Sequence, residues 1–374
     1  MRRDSNKITQ PFKEQPIFNN WDVVTKGWYL VCRSREVKPG KLKSFDLCGQ
    51  RIVLFRGEDG EVRCLDAFCS HMGADLGIGR VVGNTVQCFF HHWRYDGDGS
   101  CVEIPCGERT PARAGQRSYG TDEKYGHIWV YPDADPPAGV VEYDGFEGKE
   151  MYWERGRPVE RPCHHHINMI NGIDAQHLRT VHDISMDMKL ETSESPDGRV
   201  VDFTLEGPLP NQRLKEKIAN WVLGGTYAYS MRYGEATVGL LSVMEKVRWF
   251  GRGKEATPVR MVFGYTPLAY GRARTVPIFV AEKKPGLLNW LKAKTLLWMM
   301  KIGFFILRDE DGAVYDNIRF QPNALLKMDR AVARFIAWVN RLPRSDWSTT
   351  GVVPEKKSEN ESLIQLPSRD REVG

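Results

Sequence analysis

The chain has 374 residues, of which 41% are hydrophobic and 27% charged, and its formal net charge at pH 7 is +5. This composition is typical of a folded globular protein and excludes both global disorder and a protein with many membrane spans. Basic and acidic residues are interspersed, so the charge does not indicate nucleic-acid binding. The first residues are basic but no apolar run follows them, which predicts neither a secretory signal nor a membrane anchor and favours the cytoplasm.

Two domains are predicted from the length and from the order of the elements. Residues 20–140 contain short strand-like segments between turns, which predicts a small all-β domain; the segments are GWYLVCRS, RIVLFRG, EVRCLDA, NTVQCFF and HIWVYP. After a Pro- and Gly-containing linker, strand-like runs between 226 and 268 predict an antiparallel sheet in a second domain, residues 150–345. Helices are predicted at 174–184, 287–307 and 329–342. Residues 346–374 read as a polar tail.

The most apolar stretch of the sequence is the predicted helix at 287–307. Lys292, Lys294 and Lys301 interrupt it before a spanning length is reached, so no membrane span is predicted. A helix that covers the sheet is the favoured interpretation. A helix that lies on a bilayer surface is the alternative, because its mixture of Trp, Leu and Lys also suits that position.

The stretch CSHMGADLGIGRVVGNTVQCFFHH contains two Cys/His pairs, Cys69-x-His71 and Cys88-x2-His91. Two such pairs predict one metal centre held by two loops, because cysteines in a reducing compartment more often bind metal than form disulfides. A structural zinc site is the alternative. The division of one Cys and one His per loop, inside an all-β domain, favours a [2Fe-2S] cluster with two thiolates on one iron and two imidazoles on the other.

The segments CSHMGADLGIG, CFFHHWRYDGDGSC and YGHIWVYPD together resemble the Rieske family. Ala74 and Phe90 occupy the positions where Rieske proteins of respiratory complexes carry two further cysteines. The resemblance is therefore to the lower-potential clusters of oxygenases and their ferredoxins. Phe89 stands where the family usually has Pro, which affects the rigidity of the loop and none of the ligands.

A second group of candidate ligands follows in NGIDAQHLRTVHDI, with Asn171, Asp174, His177 and His182. Residues 174 and 177 share a helical face, whereas the five-residue step to His182 requires the helix to distort or end. Both imidazoles can then bind one metal, and a distant carboxylate would complete the facial triad of non-haem Fe(II).

Asp311 is the carboxylate predicted to complete this triad, since Rieske oxygenases place theirs shortly before an apolar-aromatic pair that Val314-Tyr315 resembles. Asp309, Glu310 and Asp316 are the alternatives.

The run His164-His165-His166 looks like a metal-binding group. Alternating strand faces are expected to scatter these side chains, so a packing or solvent role is predicted.

Residues 20–345 as a whole resemble the Rieske non-haem iron oxygenases, and most closely ketosteroid hydroxylases and cholesterol desaturases. The resemblance implies an α+β protein, an all-β Rieske domain followed by a helix-grip (START-like) catalytic domain with an antiparallel sheet. It also implies that Asp174 bridges a Rieske histidine of a neighbouring subunit and an iron-ligating histidine, in a homotrimer. Asn171 matches a family residue near the iron, but Ile170 replaces the acidic residue often found before it.

The activity that this resemblance implies is monooxygenation of a hydrophobic, steroid-like molecule with O₂ as co-substrate. The cofactors would be a [2Fe-2S] cluster and mononuclear Fe(II). No nicotinamide or flavin fingerprint is present, so a separate NAD(P)H-dependent reductase, and a ferredoxin in some systems, must supply the electrons. Dihydroxylation, demethylation, desaturation and a non-catalytic electron-transfer role are the alternatives.

Overall fold

The computed structural model describes residues 16–181, 188–212, 214–253 and 255–349, and Pro16–Ser348 forms one compact unit. Every strand pairing in the described residues is antiparallel. The mixed α and β architecture confirms the predicted fold class.

The first ten strands build two sheets. They are β1 (Tyr29–Arg33), β2 (Lys41–Leu47), β3 (Gln50–Arg56), β4 (Val62–Asp66), β5 (Arg80–Val82), β6 (Thr85–Gln87), β7 (Arg94–Tyr95), β8 (Cys101–Glu103), β9 (Ser118–Lys124) and β10 (His127–Tyr131). Six strands form a sheet in the order β1-β10-β9-β4-β3-β2, and β5 to β8 form a four-stranded sheet in chain order. Each of the five predicted strand segments in this part of the chain overlaps one of these strands.

The other eight strands form one large sheet. They are β11 (Met151–Arg155), β12 (Val159–Arg161), β13 (Lys189–Glu194), β14 (Val200–Pro208), β15 (Thr226–Gly234), β16 (Val238–Glu245), β17 (Val259–Ala269) and β18 (Arg272–Glu282). Their order is β11-β18-β17-β16-β15-β14-β13, and β12 also pairs with β18. The long strand-like runs between 226 and 268 correspond to β15, β16 and β17, which confirms the predicted antiparallel sheet.

Five α-helices lie in the described residues. They are α1 (His165–Ile170), α2 (Ala175–Thr180), α3 (Leu214–Leu223), α4 (Leu287–Tyr315) and α5 (Arg330–Val339). Helix α4 ends at Tyr315 instead of the predicted residue 307. The helix predicted at 174–184 begins at Ala175, and residues 182–187 lie outside the described part of the chain. Among the helices described, none is long and apolar enough to cross a membrane.

The large sheet is covered on both faces. On one face, Phe203 and Phe279 of the sheet share a buried cluster with residues of the helices, Ile167, Leu297 and Phe335. On the other face, Val262 and Ile278 pack with Trp28, Leu30 and Trp129 from the six-stranded sheet and the segment before it. Strand side chains alternate between faces, so a strand such as β14 buries every second residue.

Candidate functional site

The first ligand loop follows β4 and is closed by its own backbone. The N–H of Cys69 donates to the carbonyl of Ala74 at 2.9 Å, and the N–H of Gly73 donates to the carbonyl of Cys69 at 2.8 Å. Gly73 has a φ of +76°, a conformation that glycine adopts without the steric cost other residues incur. The loop therefore holds Cys69 and His71 in one tight turn.

The second ligand loop follows β6 and has a similar closure. The N–H of Cys88 donates to the carbonyl of Trp93 at 2.9 Å, so the chain turns back directly after the cysteine. The strands beside the two loops approach closely at Gly79, where a Cβ atom would lie 2.1 Å from the carbonyl oxygen of Gln87. Only glycine leaves room for this approach.

The two loops bring the four predicted cluster ligands together with an unequal exposure. Cys69 and Cys88 are only 3% and 2% exposed, whereas His71 and His91 are both exposed. The two imidazole rings lie 4.5 Å apart, measured between their centroids. Two buried thiols and two exposed imidazoles fit a [2Fe-2S] cluster with its cysteine-bound iron inside the protein and its histidine-bound iron at the surface.

The hydrogen bonds around the thiols suit a bound thiolate. Burial raises the pKa of the Cys88 thiol, the backbone N–H groups of Phe90 and His91 oppose that rise, and the neighbouring Cys69 adds to it. The hydroxyl of Tyr95 lies 3.1 Å from Cys69 Sγ and 3.1 Å from Ser70 Oγ. When Cys69 is a thiolate, the Tyr95 O–H is the donor of this contact.

Two further side chains fix the first loop, and the sequence analysis did not identify either. Asp75 accepts hydrogen bonds from Ser44 Oγ at 2.7 Å, from the N–H of Gly77 at 2.7 Å and from Arg51 at 3.0 Å. Burial alone would raise the pKa of Asp75, but these donors outweigh it and hold the pKa below its usual range. The indole of Trp93 stacks on the ring of His71 with their centroids 4.3 Å apart.

The second group of candidate ligands begins at a break between helices. After α1, a single 3₁₀ turn over Asn171–Ile173 leads to Asp174, which is the N-cap of α2. The carboxylate Oδ1 of Asp174 accepts from the N–H of Gln176 at 2.9 Å and from that of His177 at 3.2 Å. Asp174 therefore stands at the helix start and not on the helical face that it was predicted to share with His177.

The structure places His177 next to Asp311, although 133 residues separate them in sequence. His177 Nε2 lies 3.0 Å from Asp311 Oδ1, and the two side chains are only 10% and 16% exposed. Two donor atoms at this distance can both reach one metal ion, since ligand distances are about 2.0–2.2 Å. His182, the other predicted iron ligand, lies outside the described residues.

Asn171 and Tyr315 hold the other side of the Asp311 carboxylate. Asn171 Nδ2 donates to Asp311 Oδ2 at 2.8 Å, and the hydroxyl of Tyr315 donates to Asn171 Oδ1 at 3.0 Å. Burial, and then the nearby Asp311, raise the pKa of Tyr315 well above its usual value, so its hydroxyl stays protonated. Tyr315 was not predicted to take part, and its position one helical turn after Asp311 is the signal that could have indicated it.

The other acids near Asp311 point to different partners. Asp309 is exposed and pairs with Arg308, and Asp316 accepts a hydrogen bond at 2.8 Å from Nη1 of Arg161. The second guanidinium nitrogen, Nη2, donates to the carbonyl of Arg308 at 3.4 Å. Gly312 makes room for this contact, because a Cβ there would lie 3.0 Å from the guanidinium. The side chain of Glu310 is not among those described.

His164, His165 and His166 contradict the expectation that they occupy a strand. His164 is the N-cap of α1, the other two lie in its first turn, and the ligand atoms of all three lie within 4.8 Å of one another. Burial lowers the pKa of each and brings that of His165 to about 3.

Two of these imidazoles already accept hydrogen bonds at Nδ1. His164 accepts from the N–H of His166 at 3.2 Å, and His166 accepts from the N–H of Asn19 at 3.1 Å. The neutral rings of His164 and His166 therefore carry their proton at Nε2. This arrangement favours a capping and packing role, because a metal-bound imidazole normally donates through its second nitrogen.

Comparisons with known proteins cover different shares of the chain. Residues 27–119 match the family model of the Rieske [2Fe-2S] domain. The cholesterol 7-desaturase nvd of Bombyx mori is 37% identical over 175 residues, which are 43% of this chain and 36% of that protein. The oxygenase component of 3-ketosteroid-9-alpha-monooxygenase from Rhodococcus rhodochrous is 34% identical over 165 residues, 42% of this chain and 43% of that protein. The chain thus aligns with less than half the length of either relative.

Solved structures cover more of the chain. Pseudomonas putida CBB5 NdmB has a TM-score of 0.62 at 19% identity over 87% of this chain and 93% of its own. Dicamba monooxygenase with non-heme iron and dicamba has a TM-score of 0.55 at 18% identity, over 86% of this chain and 96% of its own. The chain therefore contains a Rieske [2Fe-2S] domain and has the overall fold of the Rieske oxygenases.

Proposed function

We propose that this protein is the terminal oxygenase component of a multicomponent system that hydroxylates a hydrophobic, steroid-like molecule with O₂. The observation that carries the proposal is the 3.0 Å distance between His177 Nε2 and Asp311 Oδ1, in the same chain as the two Rieske ligand loops. Residues 20–140 would carry the electron-transfer domain, residues 150–345 the catalytic domain and residues 346–374 a tail. The names of the sequence relatives, a sterol desaturase and a ketosteroid monooxygenase, support the substrate class.

In this proposal Cys69, His71, Cys88 and His91 hold the cluster, and His177, His182 and Asp311 hold Fe(II). When bound, the cluster would supply electrons one at a time and the iron would bind O₂. The exposed edges of His71 and His91 support this role, because an electron must leave through the part of the cluster that reaches the surface.

The surrounding side chains would orient the iron ligands. Asn171 holds Asp311 Oδ2 through its amide, which leaves Oδ1 directed at His177. Asp174 uses Oδ1 for both of its helix-capping bonds, so Oδ2 is the oxygen that would bridge to a Rieske histidine of a neighbouring subunit. That bridge requires a ring of subunits, and we propose a homotrimer. A separate NAD(P)H-dependent reductase, with or without a ferredoxin, would deliver the electrons in the cytoplasm.

Iron content tests the assignment of the mononuclear site. The wild-type protein should contain about three irons per chain, two in the cluster and one mononuclear. His177→Ala and Asp311→Ala should each lose about one iron while the Rieske optical spectrum is unchanged, since the cluster ligands are untouched. Asp309→Asn, a change at a nearby exposed acid that pairs with Arg308, is the matched control and should keep full iron. Full iron and full turnover in His177→Ala would refute the proposal.

Product mass distinguishes the possible reactions. The reduced enzyme with its reductase, a steroid panel and an aromatic panel should give a product with one added oxygen atom. Two added hydroxyl groups would indicate a dioxygenase, loss of a methyl group a demethylase, and loss of two hydrogens a desaturase. A protein that reoxidises without forming any product, and that contains only cluster iron, would be an electron-transfer protein instead.

A further inference from the structure

The first half of α4 exposes an apolar surface, in which Thr295 is the one polar residue. Six large side chains form it and are between 44% and 73% exposed: Leu287, Leu288, Leu291, Trp298, Met299 and Ile302. At 3.6 residues per turn, they fall within a sector of about 120° around the helix axis. Ala293, Leu297 and Met300 lie on the opposite side and are buried against the large sheet. We refer to the six exposed residues as the apolar stripe.

Lysines border the apolar stripe on both sides. On the same helical projection Lys294 and Lys301 lie about 20–40° beyond one edge, and Lys292 lies about 20° beyond the other. Lys292 is exposed, and the other two are half-buried. Residues 287–307 contain no Asp or Glu, and Glu154, which pairs with Lys294 at 3.6 Å, is an acid from another element at this border. Lysines in such positions can lay their alkyl chains along apolar surface and keep the ammonium group in water.

The start of α4 lies clear of the protein body. Residues 283–292 are all exposed, and Lys283 and Lys284 immediately precede the helix. Glu150 and Glu282 pair with these two lysines, so the acidic groups nearest the helix start are engaged outside the stripe. An exposed contiguous apolar surface of this kind marks a binding site for another molecule.

We propose that the apolar stripe of α4 binds the surface of an anionic lipid bilayer, with the helix lying in the plane of the membrane. The apolar side chains would enter the boundary between headgroups and acyl chains, and Lys292 on one border and Lys301 on the other would contact anionic headgroups. The charge on both borders specifies this occupant, because a purely apolar protein partner would not require lysines along each edge. The helix does not cross the bilayer in this arrangement, in agreement with its hydropathy.

The position of the stripe has a consequence for the substrate, which rests on the proposed function. Helix α4 carries both the stripe and Asp311, and Leu291 and Trp298 lie about 30 Å and about 20 Å from Asp311 along the helix axis. A docked enzyme would therefore hold its iron site within reach of the bilayer surface. The substrate class that this arrangement fits is a lipid-soluble molecule taken from the membrane.

Vesicle co-sedimentation of the purified, cluster-containing protein tests the proposal without turnover, so its outcome is independent of the iron chemistry. The probes are phosphatidylcholine vesicles with and without phosphatidylglycerol. Wild-type protein should bind the anionic vesicles and bind the neutral ones more weakly. Leu291→Glu and Trp298→Glu should each weaken binding at least about tenfold, because each removes a large apolar side chain from the interface. Lys292→Glu should weaken binding to the anionic vesicles alone.

Tyr270→Glu is the matched control, because Tyr270 is 80% exposed and lies at the opposite end of β18 from the start of α4. It should bind as wild type does, and the Rieske spectrum reports that each variant is folded. Failure of the wild-type protein to sediment with anionic vesicles, or equal losses in Tyr270→Glu and Leu291→Glu, would overturn the proposal. So would light scattering that shows Leu291→Glu dissociating an oligomer of the wild-type protein, because a second copy would then cover the stripe.

Discussion

The hydrogen bond between Tyr95 and Cys69 should set part of the cluster's reduction potential. The hydroxyl lies 3.1 Å from the sulfur, and Tyr95 is buried, so water cannot replace the bond when Tyr95→Phe removes it. A hydrogen bond to a ligating sulfur stabilises the reduced cluster more than the oxidised one, because reduction adds negative charge. Its loss should therefore lower the potential.

The size of this shift in reduction potential follows from the net free energy of one hydrogen bond. A net contribution of about 0.5–1.5 kcal/mol corresponds to roughly 20–65 mV for a one-electron couple. Protein-film voltammetry of the wild type and Tyr95→Phe measures it directly. Tyr119→Phe is the matched control, since Tyr119 belongs to a different core cluster from the ligands, and it should leave the potential unchanged. An unchanged or raised potential in Tyr95→Phe would refute the reasoning.

Three further outcomes are expected. Gly79→Ala should destabilise the protein by about 1–3 kcal/mol in thermal melts and reduce its cluster content, because the added Cβ would lie 2.1 Å from a carbonyl oxygen of β6. Gly115→Ala is the control and should leave the stability unchanged, since a Cβ there meets nothing nearer than 3.6 Å. Asp174→Asn should keep the N-cap of α2, whereas Asp174→Ala should lower the free energy of unfolding by about 1 kcal/mol. If the carboxylate bridges two subunits, both variants should slow reoxidation of the reduced cluster in single turnovers. Acidification should destabilise the fold, because burial lowers the pKa of His127 to about 4 and of His165 to about 3 from 6.5, so the unfolded chain binds more protons below pH 6.5. These two histidines alone should lower the free energy of unfolding by about 4 kcal/mol between pH 7 and pH 5, as measured by urea titration. If His165→Gln loses as much stability over this pH range as the wild type does, His165 is not involved.

Local patterns were sufficient to predict most of the fold. The five short strand segments of the first domain, and the runs that became β15 to β17, carry β-branched and aromatic residues between turns, and each of these patterns refers only to neighbours in sequence. The ends of the helices were harder to predict. Helix α4 continues to Tyr315 through three acids and a glycine, and Arg161 from a distant strand contacts that segment.

The candidate site residues also divide into those that local sequence patterns predict and those that only tertiary contacts reveal. Spacing was sufficient to predict the four cluster ligands, because each Cys/His pair lies in one loop. Asp311 required the family resemblance, since nothing in its own neighbourhood distinguishes it from Asp309 or Asp316. Tyr95 and Asp75 act on the first ligand loop through tertiary contacts, so no local pattern reveals them. His164, His165 and His166 were misplaced on a strand because the helix they begin, α1, has only six residues and too short a periodic pattern to detect.

The two hydrogen bonds that Arg161 donates to the end of α4 affect how the protein binds its iron. Helix termini normally fray, and Asp311 lies within the last two turns of α4. Fraying there would leave the carboxylate of Asp311 without a fixed position. Arg161 anchors Asp316 just beyond the terminus and the carbonyl of Arg308 just before Asp311. Apoprotein should therefore keep Asp311 preorganised, and iron stripped by a chelator should be restored by simple addition of Fe(II), without a refolding step.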